Sequence, residues 1–322
     1  MTLARLRGRL TLPKAPLRAL VAVRVPRYDR EVLHVATVHY KSPRWIEIQT
    51  RYLREHISVP YRVWTSLEGI DPSYATYFDR VIEQVGGHAG KLNHLAMEIL
   101  HEAPDEDLLM FLDGDAFPIA DPIPVITDAL ARAPLVAVRR AEHLDEPQPH
   151  PCFCVTTVGT WRRLPGDWSS GHVWHPHAGT PWTDVGANLL RQLELTETPW
   201  IELLRSNHTA LDPMYFAIYH DIVYHHVSSF RPATLSGVHH ASGDAPAPLA
   251  RPGVPVLDQA VGLVNRRRQR AWQQRIVKQR GALSQTVFER IQAGDSDWLA
   301  EIKGPGGEPP ALAGLVASRT LS

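Results

Sequence analysis

Apolar residues in this sequence fall into short runs of strand length that alternate with segments of helical period. The run at 32–38 predicts a first strand, followed by His39, Tyr40 and Lys41. Between 44 and 56, Trp45, Ile48, Tyr52 and Leu53 recur at i, i+3, i+7 and i+8, the stripe of an amphipathic helix. A second strand is predicted over 61–65 and a helix over 78–83, which the glycines at 86, 87 and 90 break. Leu92, Leu95, Ala96, Ile99 and Leu100 share one face of a helix over 91–102. The five apolar residues at 108–112, bounded by Asp107 and by Asp113-Gly114-Asp115, read as a strand buried on both faces. The order β-α-β-α-α-β argues for an α/β fold with a mainly parallel, Rossmann-like central sheet, helices on its faces and right-handed crossovers.

Beyond Pro118 the pattern predicts a helix over 125–132, a strand over 135–139, an acidic proline-bearing loop over 142–151 and a strand over 152–158. Residues 161–182 read as a loop carrying Trp161, Trp168, Trp174 and Trp182. Asp184 and Gly186 open a helix to 193, and 200–204 and 222–226 read as strands. After a loop at 238–255 comes a basic amphipathic helix over 256–279, with Leu257, Val261, Val264 and Ile276 on its stripe, then a further helix over 286–302. No internal repeat is present. The expected organisation is a basic N-terminal extension at 1–30, an α/β domain at 31–240, and a helical C-terminal extension with a flexible tail at 241–322.

Composition changes this picture little. With 322 residues, 44% hydrophobic and 21% charged, the chain has the make-up of an ordinary globular protein with a substantial core. The zero net charge hides an uneven distribution. Residues 1–30 and 251–280 each carry eight Arg or Lys against one Asp, so the ends are basic and the body acidic. The basic ends imply a solvated tail and a solvated helix face, or peripheral contact with an anionic membrane surface. An acidic body without aromatic residues interleaved among Arg266, Arg267 and Arg268 argues against nucleic acid. Cys152 and Cys154, at i and i+2, would share a face of a strand and read as buried free thiols, which suits a reducing, cytoplasmic setting. No stretch approaches the ~18 apolar residues of a membrane span, and arginines interrupt every apolar run near the start, unlike a secretory leader.

The chemistry concentrates where the 108–112 strand ends. In open α/β sheets ligands bind outside the carboxyl ends of the strands. Asp113 and Asp115 there are two hard oxygen donors, suited to Mg²⁺ or Mn²⁺ holding a phosphate, and Gly114 lets the backbone turn between them.

An apolar strand ending in Asp113-Gly114-Asp115 resembles the metal-binding motif of nucleotide-sugar-dependent glycosyltransferases of the GT-A fold. The resemblance covers about 32–235 and implies a GT-A domain that transfers a sugar from a nucleotide-sugar to an acceptor hydroxyl. It implies nucleoside contacts at His39 and Tyr40 and at Thr65 and Ser66, and a donor-facing Lys91 and Asn93. It implies a divalent cation on Asp113, Asp115 and His226, with Asp115 the direct ligand and Asp113 reaching ribose or metal through water. Gly114 and Arg231 would contact the donor, Arg231 at its diphosphate. The resemblance implies an inverting transfer with Asp184 as general base, a role compatible with its plain reading as a helix cap; a retaining enzyme would use it differently. Alternation on a strand puts His225 and His226 on opposite faces, so only one faces the site; His226, nearer the following loop, is the expected one. The sequence lacks an acidic pair at the end of the second strand and the Gln-x-x-Arg-Trp pattern of processive synthases. Rival readings are a haloacid-dehalogenase-like phosphatase using Asp113 and Asp115, a zinc site among histidines such as His172, His175 and His177, and a non-catalytic sugar-nucleotide-binding module.

Overall fold

The computed structural model describes residues 31–83, 86–143, 145–175, 181–207, 216–227, 247–250 and 252–303. The basic extension at 1–30, Arg231, His177 and the tail from 304 lie outside the described residues.

The central sheet has seven strands in the order β3-β2-β1-β4-β7-β6-β8. They are β1 (Leu33–Tyr40), β2 (Tyr61–Glu68), β3 (Arg80–Val81), β4 (Leu108–Asp113), β6 (Leu135–Val138), β7 (His150–Thr157) and β8 (Ile201–Leu203). β1 pairs in parallel with both β2 and β4, and β6 in parallel with β8, whereas β7 runs antiparallel to β4 and to β6. The antiparallel strand follows from its connection. Among its described residues the loop between β6 and β7 carries no helix, and a parallel return would need one. A second, antiparallel sheet joins β5 (Ala116–Pro118), β10 (Val223–His225) and β9 (Ala217–Tyr219) in the order β5-β10-β9. β5 and β9 are too short to leave a periodic signal in the sequence.

Helices cover both faces, as the pattern predicted. α1 (Ile46–His56) and α3 (Ile123–Leu130) bury Leu53, Ile126 and Ala129 on one side. α2 (His88–Glu102), α4 (Val158–Arg163) and α5 (Ala187–Leu195) bury Leu95, Trp161 and Leu189 on the other. Where a helix is expected over 78–83 the chain is instead extended, with β3 beside β2, and a 3-10 turn, Pro72–Tyr77, precedes it. The few apolar residues of 78–83 could not specify a period, and pairing with the sheet decides. The two C-terminal helices expected separately are α6 (Pro255–Ala293), continuous through Gly281, and a short α7 (Trp298–Lys303). No proline interrupts the chain between 256 and 303, and Gly294, at φ +73°, ends α6. Val287, Phe288, Ile291, Trp298 and Ile302 pack onto Trp45, Phe117 and Tyr224, so these helices brace α1 and the small sheet.

The sequence also expects Cys152 and Cys154 on one face. The register of β7 separates them: Ala137 pairs with Cys154 but Val138 with His150, so a bulge intervenes. Cys152 and Phe153 join one core cluster and Cys154 the other. Bulges re-aim side chains in this way.

At the opposite end of the sheet from the carboxylate pair, Trp64 Nε1 donates to His34 Nδ1 at 3.0 Å and His34 Nε2 to Asp107 at 3.0 Å. Asp107 also accepts the Val32 N–H at 3.0 Å, which ties β2, β1 and β4 together. Asp107→Ala leaves a buried imidazole and a backbone N–H without an acceptor, and should lower unfolding free energy by roughly 2–4 kcal/mol. Urea denaturation measures this; a loss under about 0.5 kcal/mol contradicts it.

Candidate functional site

Strand register sets the site. Val38 is opposite Asp113, so β1 and β4 end together. β2 and β3 lie on one side of β1 and β4 on the other, making this the switch point of the sheet, where a crevice opens. The residues just past each strand touch. A Cβ on Gly114 would lie 2.5 Å from the Val38 carbonyl and 2.8 Å from His39 Nδ1. Gly114 is absent from the positive-φ residues, so close approach of backbones requires it, not an unusual dihedral.

Gln49, fully buried on α1, fixes this turn. Its amide donates to the carbonyls of Asp113 and Ala116, each at 2.8 Å, and its Oε1 accepts from Thr37 at 3.2 Å. With that oxygen an acceptor, His39 presents Nε2–H to it at 3.1 Å, and the His39 Nδ1 lone pair is left buried without a partner. Burial lowers the His39 pKa to about 4, so the ring is neutral near pH 7. Gln49 was legible as a polar residue on the otherwise apolar face of the 44–56 helix.

Three elements bring metal-binding atoms to the turn. His225 Nε2, from β10, lies 3.4 Å from Asp115 Oδ1 and 3.7 Å from Asp113 Oδ2. Asp113, Asp115 and His225 place one donor atom each within 4.8 Å of one another, all three buried. Two atoms each ~2.1 Å from a shared ion lie roughly 3–3.5 Å apart, so these residues fit a divalent cation with modest closure. The imidazole of His226 is not brought to them, although its backbone N–H donates to the Asp115 carbonyl at 3.0 Å. Its Nδ1 meets the Tyr224 hydroxyl at 2.8 Å and its Nε2 the Ser284 hydroxyl at 2.7 Å, and burial lowers its pKa to about 3. Strand alternation holds, but His225 faces the carboxylates and His226 is a core residue that ties β10 to α6.

Two further histidines surround Asp113. His88, from the first turn of α2, reaches Asp113 Oδ1 at 2.9 Å. Burial opposes its charge, but the Asp113 hydrogen bond and the charges of Asp113 and Asp115 raise its pKa. His150 Nδ1 lies 3.9 Å from Asp113 and accepts the Cys152 N–H at 3.1 Å. Burial, then the Arg140 charge, lowers its pKa well below the usual value. Burial, then the Asp113 charge, raises that of the Cys152 thiol.

The residues expected to face the donor divide. Tyr40, 39% exposed, lies at the mouth of the crevice with Lys91 Nζ 4.9 Å from its ring. Lys91 is buried and ion-paired with Glu68. The Thr65 and Ser66 hydroxyls are buried at the end of β2 without a hydrogen-bond partner. Asn93 is spent on structure: its amide donates to Asp167 at 2.6 Å and its oxygen accepts the Trp168 N–H at 2.8 Å. Within the aromatic segment, Trp161 and Trp168 stack in the core at 5.6 Å, whereas Trp174 and Trp182 pair with each other nearer the surface.

Asp184 does not cap α5 with its side chain; Gly186 is the N-cap. One of its oxygens accepts the Val185 N–H at 2.8 Å, and the other lies 3.3 Å from Arg140. Arg140 is itself clamped by Glu146 at 2.8 and 2.9 Å. Asp184 keeps a 38% exposed side chain.

No family model matches this sequence, and no curated protein matches it. Solved structures of S. aureus TarS resemble part of the fold. One aligns at TM-score 0.33 and 10% identity over 42% of this chain and 30% of that one. The structure of TarS 1-349 aligns at TM-score 0.32 and 11% identity, over 42% and 50%. The same segment in complex with UDP-GlcNAc aligns at 0.33 and 11%, over 42% and 48%. The chain spans half or less of the length of these proteins. Among the described residues no helix is long and apolar enough to cross a membrane.

Gln49→Leu keeps the volume of residue 49 but strands two buried carbonyls, and should cost about 2–4 kcal/mol in urea denaturation. Unchanged stability contradicts the bracing role.

Proposed function

We propose that this chain is a GT-A-type glycosyltransferase, moving a sugar from a nucleotide-sugar donor to an acceptor hydroxyl with the help of a divalent cation. The observation that carries this reading is the convergence of Asp113, Asp115 and His225 at the switch point of a doubly wound sheet. Two hard oxygens and one imidazole suit Mn²⁺ or Mg²⁺. Held there, the cation would supply charge neutralisation for the diphosphate leaving group.

The remaining roles belong to the chain's own side chains. Tyr40 offers an aromatic face to a nucleobase beside Lys91, and the unpartnered Thr65 and Ser66 hydroxyls supply hydrogen bonds at the same end of β1 and β2. Gln49 holds the carboxylate turn in position. Asp184 takes the proton of the acceptor hydroxyl. Arg140, anchored by Glu146, orients that carboxylate, and its partial exposure leaves it within reach of an acceptor.

Two tests bear on this. Thermal-shift measurements with UDP-, GDP-, TDP- and CMP-sugars, with and without Mn²⁺, should show metal-dependent stabilisation by one class, lost in Asp115→Ala. Stabilisation by none, or metal-dependent hydrolysis of a simple phosphomonoester instead, removes the transferase reading. With the donor so identified, Asp184→Asn should lower kcat by ~10²–10⁴-fold with KM little changed; a smaller fall in kcat removes Asp184 as base.

A further inference from the structure

His225 belongs to two groups of donor atoms. Besides Asp113 and Asp115, it stands with His150 and Cys152, one atom from each residue again lying within 4.8 Å of the others, all buried. The rings of His150 and His225 are 5.7 Å apart. This second group combines two imidazoles and a thiol, the ligand types of Zn²⁺ and Co²⁺ and not of Mg²⁺.

Two features point to a built arrangement. The bulge in β7 turns Cys152 away from Cys154 and onto the His150 side, although both cysteines are free. The Nδ1 of His225 is buried with no hydrogen-bond partner. Charge also balances. Coordination would release the Cys152 proton to solvent, and one thiolate with the neighbouring Asp113 carboxylate would offset a divalent ion.

We propose that His150, Cys152 and His225 form a second metal site, selective for a thiol-accepting ion such as Zn²⁺, which competes with the carboxylate site for His225. A neutral imidazole has one lone pair to give, so a metal that takes it withdraws His225 from Asp113 and Asp115. Zinc capture is then a brake on the site. The competition, though not the second site itself, rests on the functional reading above.

Cobalt reports on this independently of activity. Co²⁺ added to the metal-free protein should give a thiolate-to-metal charge-transfer band in the near ultraviolet, lost in Cys152→Ser and retained in Cys154→Ser. One equivalent of Zn²⁺ should weaken Mn²⁺ binding roughly tenfold more in the wild type than in Cys152→Ser, where Zn²⁺ can compete only directly at the carboxylate site; equal weakening in both overturns the competition. A Co²⁺ complex without the band, or with the band intact in Cys152→Ser, overturns the second site. In either case Mn²⁺-dependent stabilisation by a nucleotide-sugar would leave the transferase reading standing. Conversely, the Cys152-dependent band without any Mn²⁺ binding supports the second site and overturns the competition together with the transferase's metal.

Discussion

The constraint behind this architecture is the burial of two carboxylates, one residue apart, at the end of a strand that is otherwise wholly apolar. Removing each charge from water costs several kcal/mol unless partners compensate. The surroundings of Asp113 and Asp115 are what such compensation requires. His88 comes from the start of α2 and His225 from the small sheet. The backbone of the turn is held separately, by the Gln49 amide from α1. Elements far apart in sequence thus converge on one turn, and they bring donor atoms of Asp113, Asp115 and His225 within 4.8 Å of one another.

Supporting structure extends well beyond the residues that would touch a ligand. The last turns of α6 and the whole of α7 pack on Trp45, Phe117 and Tyr224, and His226 joins β10 to Ser284 of α6. The position of His225 therefore depends on a C-terminal helix that looks, in sequence, like an appendage. On the other side of the crevice, Asp167 fastens Asn93 of α2 to Asn188 of α5. That keeps the helix carrying His88 and Lys91 in place.

Much of this was legible in the sequence, and the exceptions have physical causes. The apolar run before Asp113 and the stripe of Trp45, Ile48, Tyr52 and Leu53 gave the central strand and α1, because burial on two faces or one face leaves a clear period. The strand at Ala116–Pro118 is set by pairing with Val223–His225, more than a hundred residues away, which no local pattern records, and Ala217–Tyr219, its neighbour across a short hairpin, is too brief to show a period. Strand alternation told that one of His225 and His226 faces the carboxylates, but not which, since the choice depends on Ser284 and Tyr224 capturing the other. His88 stood in a glycine-rich turn and read only as a helix boundary. Asn93 and Lys91, which read as donor contacts, have Asp167, Trp168 and Glu68 as partners, all supplied by other elements.

The central claim is that donors from β4, the turn after it and β10 hold a single divalent ion. Anomalous diffraction at the manganese edge, from crystals grown with Mn²⁺ and a nucleoside diphosphate, tests it directly. The account predicts one peak within about 2.5 Å of an Asp115 oxygen and of a His225 nitrogen, with the diphosphate on its open side. A peak elsewhere on the protein, or one whose ligands include His226 in place of His225, would contradict it.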